Sequence, residues 1–169
     1  MIGSTRVFPA ILMASLTGSS AIADESDFLQ TLSGNWQGTG QVRLKPDAQP
    51  MHVSCTLDSR ADGEEISMQG ACRANVVFSR RIGADLQAQG ARYTGSYVGS
   101  IRGPATLSGS RNGGTLDLRI RWPARNDTGR TARMQVASLG SGRMRLVTSE
   151  SHPRSGERIV TARIEFSRK

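Results

Sequence analysis

Aromatic residues are scarce, at 5% of a 169-residue chain, with two Trp, two Tyr and four Phe. Histidine occurs only at His52 and His152, in separate segments and without a second ligand at metal-site spacing, so no metal set is indicated. The two cysteines, Cys55 and Cys72, show no C-x-x-C spacing, which argues against a redox pair. The apolar stretch from Val7 to Leu16 is interrupted by Pro9 and has about half the roughly 20 residues that a membrane-spanning helix needs. Catalytic motifs are missing as well. In Gly99-Ser100-Ile101-Arg102-Gly103 the serine sits beside the first glycine, which misses the spacing of a nucleophile elbow. Gly38-Thr39-Gly40 lacks the strand-turn-helix setting of a phosphate loop. With no identifiable acid, base, nucleophile or metal set, the sequence predicts a non-catalytic protein without a cofactor.

What is present begins with the order of a secretory signal: Arg6, the apolar stretch, then small residues ending in Ala21-Ile22-Ala23 before Asp24-Glu25. This predicts a signal peptide over 1–23, a short N-terminal segment over 24–32 and a single domain over 33–169, in a periplasmic or secreted protein. Export in turn favours a Cys55–Cys72 disulfide. Glycine is abundant, at 19, and the net charge is +8. Apart from Lys45 and Lys169 every cation is arginine, whose planar fork suits carboxylates and phosphates. Asn126-Asp127-Thr128 matches a glycosylation triplet.

Beyond a short helical turn from Asp24 to Leu32, which places Phe28, Leu29 and Leu32 on one side as a lid or plug, the chain alternates with a period of two. Trp36, Gly38, Gly40, Val42 and Leu44 share one face of a first strand. A loop at Asp62-Gly63-Glu64-Glu65 pairs Ala61 with Ile66, Leu57 with Gly70 and Cys55 with Cys72, so that Val53, Leu57, Ile66 and Met68 fall on the cysteine face. Val76-Val77-Phe78 predicts a fourth strand ended by Arg80-Arg81, followed by a loose stretch to Gly90; Tyr93, Gly95 and Tyr97 share a face of the fifth. A tight turn at Asn112-Gly113 pairs Leu107 with Leu118 and Ala105 with Ile120. The remaining inward candidates are Leu116, Leu118, Ile120, Trp122, Met134, Val136, Met144, Leu146, Val160, Ala162, Ile164 and Phe166. The fold class predicted is all-β, a single antiparallel up-and-down barrel of about eight to ten strands, with Trp36, Met68, Leu118, Ile120, Trp122, Met134 and Met144 in its lining.

The same parity turns Arg119, Arg121, Arg133, Arg143, Arg145 and Arg163 outward on one sheet quadrant. Like charges facing one another across strands are mutually destabilising, so a basic face predicts either an anionic partner such as a glycolipid or polysaccharide, or local countercharges on the outer face from Asp117, Glu150, Glu157 and Glu165. Outward rows of arginine cannot face lipid, which argues against an outer-membrane barrel. Nucleic acid is disfavoured, because these strands offer only an inward Trp122 and no exposed stacking row.

Gly34-Asn35-Trp36 resembles the G-x-W signature that opens the first strand of lipocalins and related calycin barrels. The resemblance implies a barrel that binds a small apolar ligand, with a basic residue near the chain end, Arg163 or Arg168, covering the Trp. Haem-binding relatives use an axial His late in the barrel, for which His152 is the candidate. The chain is also similar to small periplasmic barrel inhibitors of secreted metalloproteases, which implies that Asp24 to Leu32 is a blocking tail.

Overall fold

A computed structural model describes residues 20–74, 78–123 and 129–169. One helix, α1 (Ser20–Leu32), precedes ten strands: β1 (Gly34–Val42), β2 (Met51–Asp62), β3 (Glu65–Ala74), β4 (Phe78–Gln89), β5 (Arg92–Val98), β6 (Ala105–Asn112), β7 (Thr115–Arg121), β8 (Thr131–Gly140), β9 (Arg143–Ser151) and β10 (Arg158–Arg168). Each strand pairs antiparallel with its sequence neighbours, and β10 pairs with β1 to close the barrel. Alternation drives this closure, because each strand has one apolar face and a closed sheet buries all those faces in one interior. Inward glycines allow the strands to coil tightly. A Cβ at Gly40 would lie 2.0 Å from the Arg163 carbonyl oxygen, and one at Gly70 would lie 2.0 Å from that of Thr56.

The two ends of the barrel differ. At one, α1 lies across the opening and buries Phe28, Leu29 and Leu32 against the interior. Glu25 shares that stripe at i, i+3, i+4 and i+7 and is just 2% exposed. It accepts two bonds from Arg111 Nε, at 2.9 and 3.0 Å, and one from the Tyr93 hydroxyl. Arg111 also pairs with Asp24, and its guanidinium lies 5.1 Å above the Phe28 ring. The helix ends on partners that satisfy its last carbonyls: Trp36 Nε1 donates to Leu32 O at 3.1 Å and Arg168 Nη2 to Thr31 O at 3.0 Å. Arg168, and not Arg163, covers Trp36, with its guanidinium 4.8 Å from the ring. Phe28, Leu29 and Leu32 thus make the segment Asp24 to Leu32 the lid expected at one barrel end, and seated in this way it is not a tail that projects to block a protease.

The β2–β3 register follows the predicted pairing, and Cys55 and Cys72 form a disulfide between directly opposed positions. Three details differ. The β6–β7 turn uses Gly113-Gly114, so Leu107 pairs with Ile120 and Gly109 with Leu118. Gly113, at φ 55°, takes the left-handed turn position, and the two-residue shift leaves both faces unchanged. In β10 a bulge between Val160 and Ala162 turns Val160 outward, 41% exposed, and buries Thr161. β4 runs through Arg80-Arg81 to Gln89, because Ile82, Ala84, Leu86 and Ala88 keep the inward alternation that the small residues disguise. Val76 and Val77, like the Asn126 triplet, lie outside the described residues.

Removing one partner of a buried ion pair leaves the other charge uncompensated. Arg111→Ala is expected to lower stability by about 3–5 kcal/mol in urea unfolding. A loss well below 1 kcal/mol would mean that Glu25 is solvated and α1 loosely held.

Candidate functional site

The end opposite α1 is formed by the last residues of β1, β3, β5, β7 and β9 and the first of β2, β4, β6, β8 and β10. Here the packing is incomplete. A cavity of about 140 Å³ is walled by Ile120, Trp122, Met134, Leu146 and Ile164, with Ile82 and Tyr97 on the far side. The nearer half of the barrel is filled instead, with Trp36, Tyr93, Leu116, Leu118, Met144 and Phe166 all essentially inaccessible.

Charged groups stand at the rim of this chamber. Arg102 donates to Glu150 at 3.2 Å, with both side chains largely buried. The Arg102 guanidinium lies 5.2 Å over the Trp122 ring, a cation–π contact. Trp122 Nε1 donates to Gly103 O at 3.2 Å, and the ring meets Tyr97 edge-on at 6.5 Å. Arg80 reaches Ser100 O from Nη1 at 3.4 Å, while its buried Nε has no partner among the described residues. The 99–103 loop is thus tied over the opening through Arg80, Arg102 and Trp122, with Ile101 left 47% exposed beside it. Burial of Tyr97 pushes its phenol up to about 12; the Glu150 charge adds to this and Arg80 opposes it.

All the predicted lining residues are buried, and the chamber takes Ile120, Trp122 and Met134. Trp36, Met68, Leu118 and Met144 pack elsewhere in the core. Arg80, Arg102 and Glu150 are the rim residues that sequence reasoning missed. Arg80-Arg81 was expected to end a strand and Glu150 to be an outer countercharge, whereas the alternation that buries Cys72 opposite Arg80, and Thr148 two residues before Glu150, turns both inward.

The outward arginines are not brought into one site. Arg119 faces Arg133 directly across β7 and β8, and with Arg158 they line an open concavity of about 460 Å³ on the outer surface. Arg133 is held there by Asp117, and its guanidinium keeps the Asp117 carboxyl below the usual range. Arg121 is next on the same face of β7, opposite Thr131. Arg145 pairs with Glu165 at 2.5 Å, Arg163 is opposite Val147, and Arg143 lies near the α1 end opposite Ser167.

His152 is outside the chamber wall, and both its ring nitrogens are engaged, Nε2 with Asp47 at 2.6 Å and Nδ1 with the Arg154 and Ser155 amides. The ring is therefore not free to ligate haem inside the barrel. His52 is on the exposed face of β2. Among the described residues no cluster of three His, Cys, Asp or Glu is placed to hold a metal, and no helix is long and apolar enough to cross a membrane.

No protein-family profile and no curated protein matches the chain. Among solved structures, the chain is similar to an S-type phycobiliprotein lyase from Guillardia theta, with 12% identity over 85% of this chain and 91% of that one, at a TM-score of 0.55. The likeness is one of fold alone, that of this chain's closed antiparallel barrel. It also corrects an expectation. A barrel of this form is carried by a protein named as a lyase, so the lack of a familiar catalytic motif does not set enzymes aside.

The chain has two tyrosines, and both hold their protons more tightly when folded, Tyr93 through burial and its bond to Glu25. Ultraviolet titration of the folded protein should show little tyrosinate at pH 10–11, where the denatured chain ionises about a reference near 10. A raised folded pKa gives stability that is complete below the unfolded value and lost as pH rises toward the folded one. Stability should therefore fall from pH 10 upward. Normal titration of one tyrosine would show that one end of the barrel is open to water.

Proposed function

We propose that the protein is exported and that its open-ended chamber receives a small, largely apolar ligand. The observation that carries this reading is the asymmetry of the interior: one half is filled by side chains, while the other leaves an apolar-walled cavity under a loop tied by polar contacts. The signal-like order of residues 1–23 and the Cys55–Cys72 disulfide support an oxidising compartment, periplasmic or external. The Trp36–Arg168 stack supports placing the chain near the lipocalins among calycin barrels.

Native mass spectrometry of the protein purified from its own host tests the reading, with a bound mass of small-molecule size expected. Ala162 lines the chamber away from α1, so Ala162→Phe should fill it and reduce ligand occupancy at least tenfold. A clean apo mass, or full occupancy in the filled variant, would contradict the proposal.

A second reading is favoured by the opposed Arg119 and Arg133, whose repulsion Asp117 only partly offsets. The outer concavity then takes an acidic polysaccharide or glycolipid head group, with Arg119 and Arg158 in its lining and Arg121 next to it on β7 making the contacts. Replacing these three with Gln should preserve the fold and flatten the salt dependence of binding to a phosphorylated polysaccharide. Unchanged affinity and salt response would leave this face as solvated surface.

A further inference from the structure

We infer that the ligand of the chamber carries a carboxylate and that Arg80 holds it, a step that rests on the chamber reading above. Two strand arginines point into the barrel, one toward each end. Arg111 stands opposite buried Leu116 and is matched by carboxylates of the protein itself, Glu25 and Asp24. Arg80 stands opposite buried Cys72 and has no carboxylate within ion-pairing reach among the described residues. The acid of the chamber, Glu150, is taken by Arg102.

Arg80 is half-buried, and its inaccessible Nε is a donor that costs free energy unless it finds an acceptor. Arg80 has a 3.4 Å bond to Ser100 O, the Phe78 ring at 5.6 Å and a buried Nε without a partner. With Arg102 neutralised by Glu150, the chamber lining keeps two cations without an acid among the described residues, Arg80 and Arg43, of which Arg43 is bonded to Ala48 O at 2.8 Å and Arg80 has the buried Nε without a partner. A carboxylate can accept bonds from a guanidinium edge in the geometry that arginine favours. The apolar walls below then set the remainder of the molecule. A 140 Å³ space is close to cavities that take up a molecule of about the size of benzene. The class implied is a small aromatic or short-chain monocarboxylate whose apolar part points toward Ile120 and Met134.

The test compares benzoate and hexanoate with benzyl alcohol and hexanol, binding being followed by calorimetry at fixed ionic strength. The carboxylates should bind at least about tenfold more tightly than the alcohols, the usual gain for a hydrogen bond to a charged group. In Arg80→Gln the ratio should collapse toward one, and Arg80→Lys, which keeps the charge without the fork, should retain part of it. If Arg80→Gln does not fold, a Lys variant whose ratio equals that of the native protein overturns the inference. Alcohols that bind as tightly as carboxylates overturn it while leaving the chamber reading intact. A carboxylate preference that survives in Arg80→Gln places the anion elsewhere and also overturns it. If neither series binds, both readings fall.

Discussion

The buried contact of Glu25 with Arg111 and Tyr93 is what makes the two ends of this barrel unlike. It sets a carboxylate, a guanidinium and a phenol into an interior where each alone would be penalised, and together they fix α1 across one opening. Once the helix is seated, Leu29 and Leu32 fill the space beneath it, and Trp36 and Arg168 meet its last carbonyls. That half of the barrel is filled by side chains. At the other end an inward arginine lacks such a match, and there the packing gives way to a chamber.

This asymmetry is built on a symmetrical constraint. Ten strands that pair only with their sequence neighbours leave no free edge, and the period of two sends each residue either to the interior or to solvent. Interior polar groups are therefore confined to the two mouths, where strands run out and alternation meets loops. Glu25, Tyr93 and Arg111 belong to one mouth; Arg80, Tyr97, Arg102 and Glu150 belong to the other. The outer face obeys the same parity, and its arginines are apportioned by local acids: Asp117 for Arg133 and Glu165 for Arg145.

How far the chain could be read follows from the same parity. The β2–β3 register was legible because the cysteines, the Asp62-Gly63 turn and the apolar alternation all agree. The β6–β7 register was placed two residues off, since Asn112-Gly113-Gly114 offers two turns and both preserve the faces. The bulge at Thr161 carries no residue signature, so Val160 was assigned to the wrong side. Glu25 escaped notice because an acid on an apolar helical stripe reads as a break in it. Arg80 and Glu150 escaped for the matching reason in strands, where a charge is taken to mark an end or an outer face. Ile120, Trp122 and Met134 were legible as lining, but which end of the barrel keeps a chamber was not, because that is space no residue fills.

The central claim is that the interior of the barrel is divided into a packed half and a receptive half. Methyl NMR during titration with a small apolar probe such as benzene tests it directly, because the two halves carry separate reporters. Methyls of Ile120, Met134, Leu146 and Ile164 should shift with saturation, while those of Leu29, Leu32, Ile66 and Leu116 stay in place. Uniform shifts throughout the interior, or shifts confined to the second group, would contradict the account.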